Sequence, residues 1–352
     1  MLASGFTVAL MATASGHPRL ARAADAGIVV KMGTLAPDGS SWHLIFKTMG
    51  EKWKNAPGGG VTLRIYPGGQ MGDEPDMVRK MRIGQIHAAA LTGAGISEID
   101  AAVAALQIPM MFRSYEELDY VRERIRSTLE TRLESKGFIV LNWGDAGWVS
   151  FISKQPILRP DDLKKMKLFV WAGDSHAADI WKGGGFNPIP LASTDILPGL
   201  QTGLINAFDV PPLAALANQW FGLAPHMLEL KWAPLVGATL ITKKAWSAVP
   251  VEAREAMLAA AAEAGERLKG EIRTADTKAV EAMKKRGLTL HPVAPEIEAE
   301  WAKAAEGVYS RIRGTIVPPE MFDEVRRLRD ACRAAAGSAP AAITPTKPGS
   351  AD

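Results

Sequence analysis

Residues 28–83 read IVVKMGTLAPDGSSWHLIFKTMGEKWKNAPGGGVTLRIYPGGQMGDEPDMVRKMRI, and the hydrophobic pattern in this stretch changes period three times. IVVKMGTL at 28–35 is a short apolar-rich run that ends at the turn residues Pro37-Asp38-Gly39-Ser40, and a helical pattern follows from Trp42 to Trp53. The unit then repeats. VTLRIY at 61–66 alternates as a strand does, breaks at Pro67-Gly68-Gly69, and leads into a charged helix from Glu74 to Ile83. Strand, turn and helix twice in succession predict an α/β sheet with helices on both faces.

Outward from this stretch the alternation continues. Ile86 to Thr92 is an apolar run of the buried type, and a helix from Tyr115 to Lys136 precedes a strand from Phe138 to Trp143. Asp145-Ala146-Gly147 interrupts the pattern, which restarts with strands at Trp148 to Ser153 and Leu168 to Trp171. A helix from Ser175 to Lys182 stops at Gly183-Gly184-Gly185. Asp195 to Thr202 reads as a short helix, with Asp195 as its cap, and Leu204 to Val210 as a strand ahead of Pro211-Pro212. A last strand, Ala238 to Thr242, precedes a helix of strong helix formers from about Val251 to Arg286, long enough to brace two lobes. From Gly337 the chain has no periodic face, so 337–352 is expected to be a disordered tail.

With 352 residues, 47% hydrophobic and 22% charged, the chain is of ordinary globular composition and long enough for two lobes. Its net charge of +3 comes with no dense Lys/Arg stripe between aromatics, which argues against a nucleic-acid partner. Phe6 to Ala12 is apolar and Ala21-Arg22-Ala23 offers a small-x-small cleavage site, so 1–23 are expected to be a signal peptide and the protein to be exported to the periplasm. No apolar run reaches the roughly 20 residues of a spanning helix, so the mature chain is not expected to cross a membrane. Cys332 is the lone cysteine, which excludes an internal disulfide, and the histidines lack metal-ligand spacing. No cofactor is expected. The motifs of a serine-hydrolase elbow, a phosphate loop and a dinucleotide turn are all absent, so the chain is not expected to be an enzyme.

Five segments, in this order and spacing, carry a resemblance. They are KMGTLAPDGSSW from Lys31, YPGGQMGDEPDMVRKMRIGQIHAA from Tyr66, LQIPMMF from Leu106, DDLKKMK from Asp161, and GGGFNPIPLASTDILPGLQTGLINAF from Gly183. Together they resemble the DctP-type periplasmic solute-binding proteins of TRAP transporters over roughly 28–315. The resemblance implies a two-lobed periplasmic-binding-protein fold with a ligand cleft between the lobes, closing around one small molecule that passes to TRAP membrane permease subunits. Lobe I is then 28–146 with about 236–275, and lobe II 147–235 with about 276–315. The general rule for open α/β sheets puts the cleft at the carboxyl ends of the strands, near Leu35 to Ser41, Thr92 to Gly95 and Asp145 to Trp148.

Against that family pattern, two cationic anchors are missing. Most members carry an arginine in a Lys-x-Arg-Val motif that clamps a substrate carboxylate, and here the motif reads Lys167-Leu168-Phe169-Val170. A second arginine, in a Gly-x-Arg motif, aligns with Val149 of Gly147-Trp148-Val149. By the same register Leu35 and Thr92 replace polar or acidic residues, and Val210 replaces an asparagine. The candidate ligand-binding set is therefore Leu35, Trp42, Thr92, Trp148, Val149, Phe169, Trp171, Ser193, Asp209 and Val210. Aromatic rings at these strand ends predict a hydrophobic pocket and an apolar or neutral organic ligand. The alternatives are an organic acid held by a rearranged anchor, or a lipid or protein partner. Asp209 could offer an acceptor to a neutral or cationic ligand, and Trp42, Trp143 and Trp220 could each be core or ligand wall. Successive strand residues point to opposite faces, so one of Trp148 and Val149, and one of Phe169 and Trp171, is expected to turn away.

Overall fold

The computed structural model describes residues 27–337. The expected signal peptide at 1–23 lies outside the described residues, as does the expected tail apart from Gly337, which ends a helix, Pro319–Gly337.

Ten strands are described: β1 Ile28–Thr34, β2 Val61–Tyr66, β3 Ala88–Thr92, β4 Phe138–Ser153, β5 Lys167–Trp171, β6 Asn187–Leu191, β7 Ala207–Val210, β8 His226–Leu228, β9 Ala233–Thr242 and β10 Thr289–His291. They lie in the order β2-β1-β3-β9-β4-β7-β5-β6, with β8 joining β4 to β10. β1 pairs in parallel with β2 and β3, as strand-helix-strand units require, and β9 runs antiparallel to both β3 and β4.

β4 corrects the sequence reading. The two strands expected on either side of Asp145-Ala146-Gly147 are one strand of 16 residues. Its residues from Phe138 to Val149 pair with β9, and Ser150 to Ser153 pair with β7, so a single strand belongs to two sheets. The apparent break is a register shift between Asp145 and Gly147, a bulge that bends the strand without ending it. Gly147 has φ +123°, and a Cβ there would sit 2.7 Å from the Pro211 Cβ and 2.9 Å from Asp276 Oδ2. Only glycine satisfies both demands. One smaller expectation also shifts, since β9 begins at Ala233 rather than Ala238, and β6, β8 and β10 are strands that the sequence pattern does not predict.

Each sheet is covered on both faces. Met77, Leu91, Leu118 and Phe322 fill one side of the first sheet, and Ile45, Trp53, Met257 and Leu268 the other. The second sheet has Phe151, Leu168 and Trp301 on one side and Phe169, Ile196 and Phe208 on the other. The helix Val251–Lys284 has 34 residues, a length of about 50 Å at 1.5 Å per residue. It runs from Met257 in a core of the first lobe to Met283 in a core of the second. Asp276 pins it at the crossing, accepting hydrogen bonds from Trp148 N (3.3 Å) and Leu213 N (2.9 Å). The helix Pro319–Gly337, absent from the sequence reading, packs on the helix Tyr115–Ser135, with Phe322 and Val325 buried and Arg333 Nε donating to Glu117 Oε1 at 2.8 Å.

Candidate functional site

The carboxyl ends of β1, β3, β5 and β7 converge on a cavity of about 600 Å³ between the lobes. That volume suits a small-molecule ligand. Of the ten candidate residues, nine line it: Leu35, Trp42, Thr92, Val149 and Phe169, together with Trp171, Ser193, Asp209 and Val210. Trp148 does not. It follows the strand alternation to the opposite face of β4 from Val149, where its ring packs 5.5 Å from Tyr115 and 5.6 Å below Lys231 Nζ. Phe169 and Trp171 both reach the cavity, because residues two apart on β5 share a face, so the expected exclusion of one of them does not occur. Trp220 is in the wall, whereas Trp143 is core and donates through Nε1 to Glu130 Oε1 at 2.9 Å. Asp195 caps by position only, since its side chain makes no cap hydrogen bond.

Four acids reach the lining, and among the described residues no Lys, Arg or His does. Glu74 is the least expected of them. It opens the helix Glu74–Arg82, yet its carboxylate is buried and accepts from Thr92 N (2.8 Å), Thr92 Oγ1 (2.7 Å) and Gly95 N (2.9 Å). Burial outweighs these bonds and raises its pKa from 4.5 to about 7. Gly95 is glycine because a Cβ would lie 2.5 Å from Glu74 Oε2. Asp145, at the β4 bulge, is held by Arg122 Nη1 at 2.6 Å and Arg273 Nε at 2.7 Å, both guanidinium groups lying behind the wall. Asp174 caps the helix Ser175–Gly183 through Ala177 N at 2.8 Å. The Asp209 carboxylate, unlike its backbone, which is paired with Phe151 in the β4–β7 ladder, receives no hydrogen bond from any other described residue. Burial raises its pKa to about 7, opposed only by its own backbone N–H. Its side chain is half-buried because it faces the open cavity, while protein encloses it at longer range.

Asp73, absent from the candidate set, closes the rim. It caps the helix Glu74–Arg82 in lobe I through Glu74 N at 2.9 Å. Across the mouth it accepts from Trp171 Nε1 (2.7 Å), Ser193 N (2.7 Å) and Ser193 Oγ (2.8 Å), all in lobe II. Three hydrogen bonds to one carboxylate thus hold the lobes together at this edge. The polar atoms of Trp171 and Ser193 are spent on the latch. An aspartate ahead of a Glu-Pro helix start looks like any N-cap, so nothing local in the sequence marks this role. Trp181, Trp232 and Trp301, none of them among the sequence candidates, also reach the wall.

Comparison with known proteins gives one family model, DctP, described as bacterial extracellular solute-binding protein, family 7, which matches residues 32–314. The C4-dicarboxylate-binding periplasmic protein DctP of Rhodobacter capsulatus is 24% identical over 270 residues, covering 76% of this chain and 80% of its own length. The 2,3-diketo-L-gulonate-binding periplasmic protein YiaO of Escherichia coli is 24% identical over 255 residues, 70% of this chain and 76% of its own. Among solved structures, the sugar acid binding protein DctPAm of Advenella mimigardefordensis in complex with galactonate superposes with a TM-score of 0.81 at 17% identity, over 87% of this chain and 99% of that one. A TRAP periplasmic solute binding protein of Sulfurospirillum deleyianum with bound succinate gives 0.79 at 20% identity, over 86% and 98%.

Proposed function

Because the chain belongs to the DctP family, the bacterial extracellular solute-binding proteins of family 7, we propose that it is a periplasmic receptor that closes two lobes around one small organic solute and delivers it to the membrane subunits of a TRAP-type permease. The observation that carries this reading is the cavity of about 600 Å³ walled by both lobes. The moving bodies are 28–146 with about 236–275, and 147–235 with about 276–315, joined through the β4 bulge and the helix Val251–Lys284. The Asp73 latch is a bond set that forms as they close.

The named relatives take acids: a C4-dicarboxylate, 2,3-diketo-L-gulonate, galactonate and succinate. These names favour an organic acid over the apolar or neutral solute expected from the sequence. In this chain such an acid is held without an arginine, by backbone and hydroxyl donors against aromatic walls. One observation favours the second reading, a solute with no negative charge: the lining has four acids and, among the described residues, no basic side chain. An anion taken from water into such a site lacks a compensating charge.

Tryptophan fluorescence and calorimetric titration of the purified protein distinguish the two. The receptor function predicts saturable binding of a small molecule with a change in Trp emission, since Trp171 and Trp220 line the cavity. C4-dicarboxylates and sugar acids bind under the first reading, and only uncharged or cationic solutes under the second. Absence of any bound or co-purifying small molecule in native mass spectrometry would refute the receptor function.

A further inference from the structure

Three of the four cavity carboxylates are engaged by the fold itself: Glu74 by Thr92 and Gly95, Asp145 by Arg122 and Arg273, Asp174 as a helix cap. Asp209, at the end of β7, has no such engagement and stabilises nothing in the described protein through a side-chain bond. An ionised carboxylate that faces a largely apolar cavity has only solvent to donate to it until a ligand arrives. The walls around the cavity are rich in aromatic rings, including Phe169 and Trp171 with centroids 6.2 Å apart, and Trp181, Trp220 and Trp232. The negative faces of such rings attract cations. A second unsatisfied polar atom lies in the same lining: Thr239 Oγ1 is buried and has no partner.

On the receptor function proposed above, and deepening its second reading, we propose that Asp209 is the polar anchor of the cavity and receives a protonated amine carried on an apolar body. The ammonium group donates to the Asp209 carboxylate, the aromatic walls hold the body, and a carboxylate in the same place meets like charge. The ligand therefore differs in sign from the acids of the named relatives.

The pH dependence follows in sign. Amine binding needs Asp209 ionised, and in the empty protein burial keeps its pKa near 7. Affinity for the amine thus rises with pH below about 7, approaching tenfold per unit, and levels above it. A carboxylate ligand shows the opposite slope. On β4 and β5, which flank β7, the ionisable residues are Asp145, paired with its two arginines, and Lys167, whose Nζ donates to Gly203 O at 3.0 Å. Neither contributes to the Asp209 shift. Glu74 also titrates near 7 in the same cavity, so the slope is read against an Asp209 variant.

The test is calorimetric titration of the full chain with isosteric triplets, each an amine, an alcohol and a carboxylate on one body: phenylethyl, cyclohexylmethyl and n-hexyl. The expected result is that the amine is the tightest member of at least one triplet, gains affinity from pH 6 to pH 7, and loses roughly tenfold or more in Asp209→Asn together with the slope. The slope in the unsubstituted protein is an independent reading if Asp209→Asn folds poorly. Carboxylates binding more tightly than amines, no binding in any triplet, or an amine affinity untouched by Asp209→Asn each overturns the proposal. Carboxylate binding without amine binding leaves the receptor function standing, whereas failure of every triplet with no co-purifying solute removes both.

Discussion

Glu74 shows how one residue can hold two loops of a cleft together. Its carboxylate serves the end of β3 through Thr92 and the following turn through Gly95, so it fixes the wall shape before any ligand arrives. Glu74→Ala leaves the Thr92 N–H, the Thr92 hydroxyl and the Gly95 N–H without an acceptor. The expected loss is on the order of 3 kcal/mol, since each unsatisfied buried donor costs about 1–3 kcal/mol and water entering the gap recovers part of it. Urea unfolding followed by far-UV circular dichroism measures it. A loss below about 0.5 kcal/mol shows that water replaces the carboxylate completely. Thr92 was a candidate from the sequence because of its register in the family. Its hydroxyl turns out to donate to Glu74, and that distinction depends on a partner 18 positions earlier that no local pattern identifies.

At the scale of elements, most strands and helices could be read from the sequence because each carries its own hydrophobic period. β1, β2 and the helix Tyr115–Ser135 lie within a residue or so of their expected bounds. β4 could not be read this way. Asp-Ala-Gly is turn chemistry, and only the continuous pairing with β9 shows that the chain bulges there and goes on. The helix Pro319–Gly337 escaped for a different reason: it carries a helical face, but it lies past the segments that carried the family resemblance, and its role depends on contact with the helix Tyr115–Ser135. The bulge makes a sharp prediction. Gly147→Ala must adopt φ near +123° and push its Cβ against Pro211 and Asp276, where the helix Val251–Lys284 is pinned. A destabilisation of about 2–4 kcal/mol is expected from combined strain and overpacking. Thermal unfolding of Gly147→Ala beside Gly137→Ala, whose Cβ meets nothing within 4 Å at φ +91°, separates backbone strain from the clash.

For the whole molecule, the latch and the buried acids set opposite requirements. Trp171→Phe removes one donor to Asp73 while leaving the aromatic wall and the Asp73 cap in place. Small-angle scattering of the empty variant is expected to show a larger radius of gyration than the parent, with far-UV spectrum unchanged. An identical scattering curve means that Ser193 alone holds the rim.

Three carboxyl groups, Glu74, Asp209 and Asp276, have folded pKa values raised by burial, to about 7, about 7 and about 6 from 4.5, 3.8 and 3.8. In each case the folded state binds its proton more tightly than the unfolded chain does. Their stabilising contribution is therefore complete below about pH 4. It is lost progressively as pH rises to about 7, and is flat beyond. A tenfold tighter hold on a proton is equivalent to about 1.4 kcal/mol, so Glu74 alone gives on the order of 3 kcal/mol, while Asp209, facing the open cavity, gives less because solvent screens it. Asp100, Glu117 and Asp119 have lowered values, from arginine or lysine partners and hydrogen bonds that outweigh burial, and their stabilisation is lost as the medium becomes more acidic. The empty protein is thus expected to melt at a higher temperature at pH 5 than at pH 7.5, and Glu74→Gln combined with Asp276→Asn to flatten that slope whatever its absolute stability. Calorimetric melting temperatures across this range measure both, and a melting temperature that climbs from pH 5 to pH 7.5 would mean that the ionised acids are already compensated inside the closed cleft.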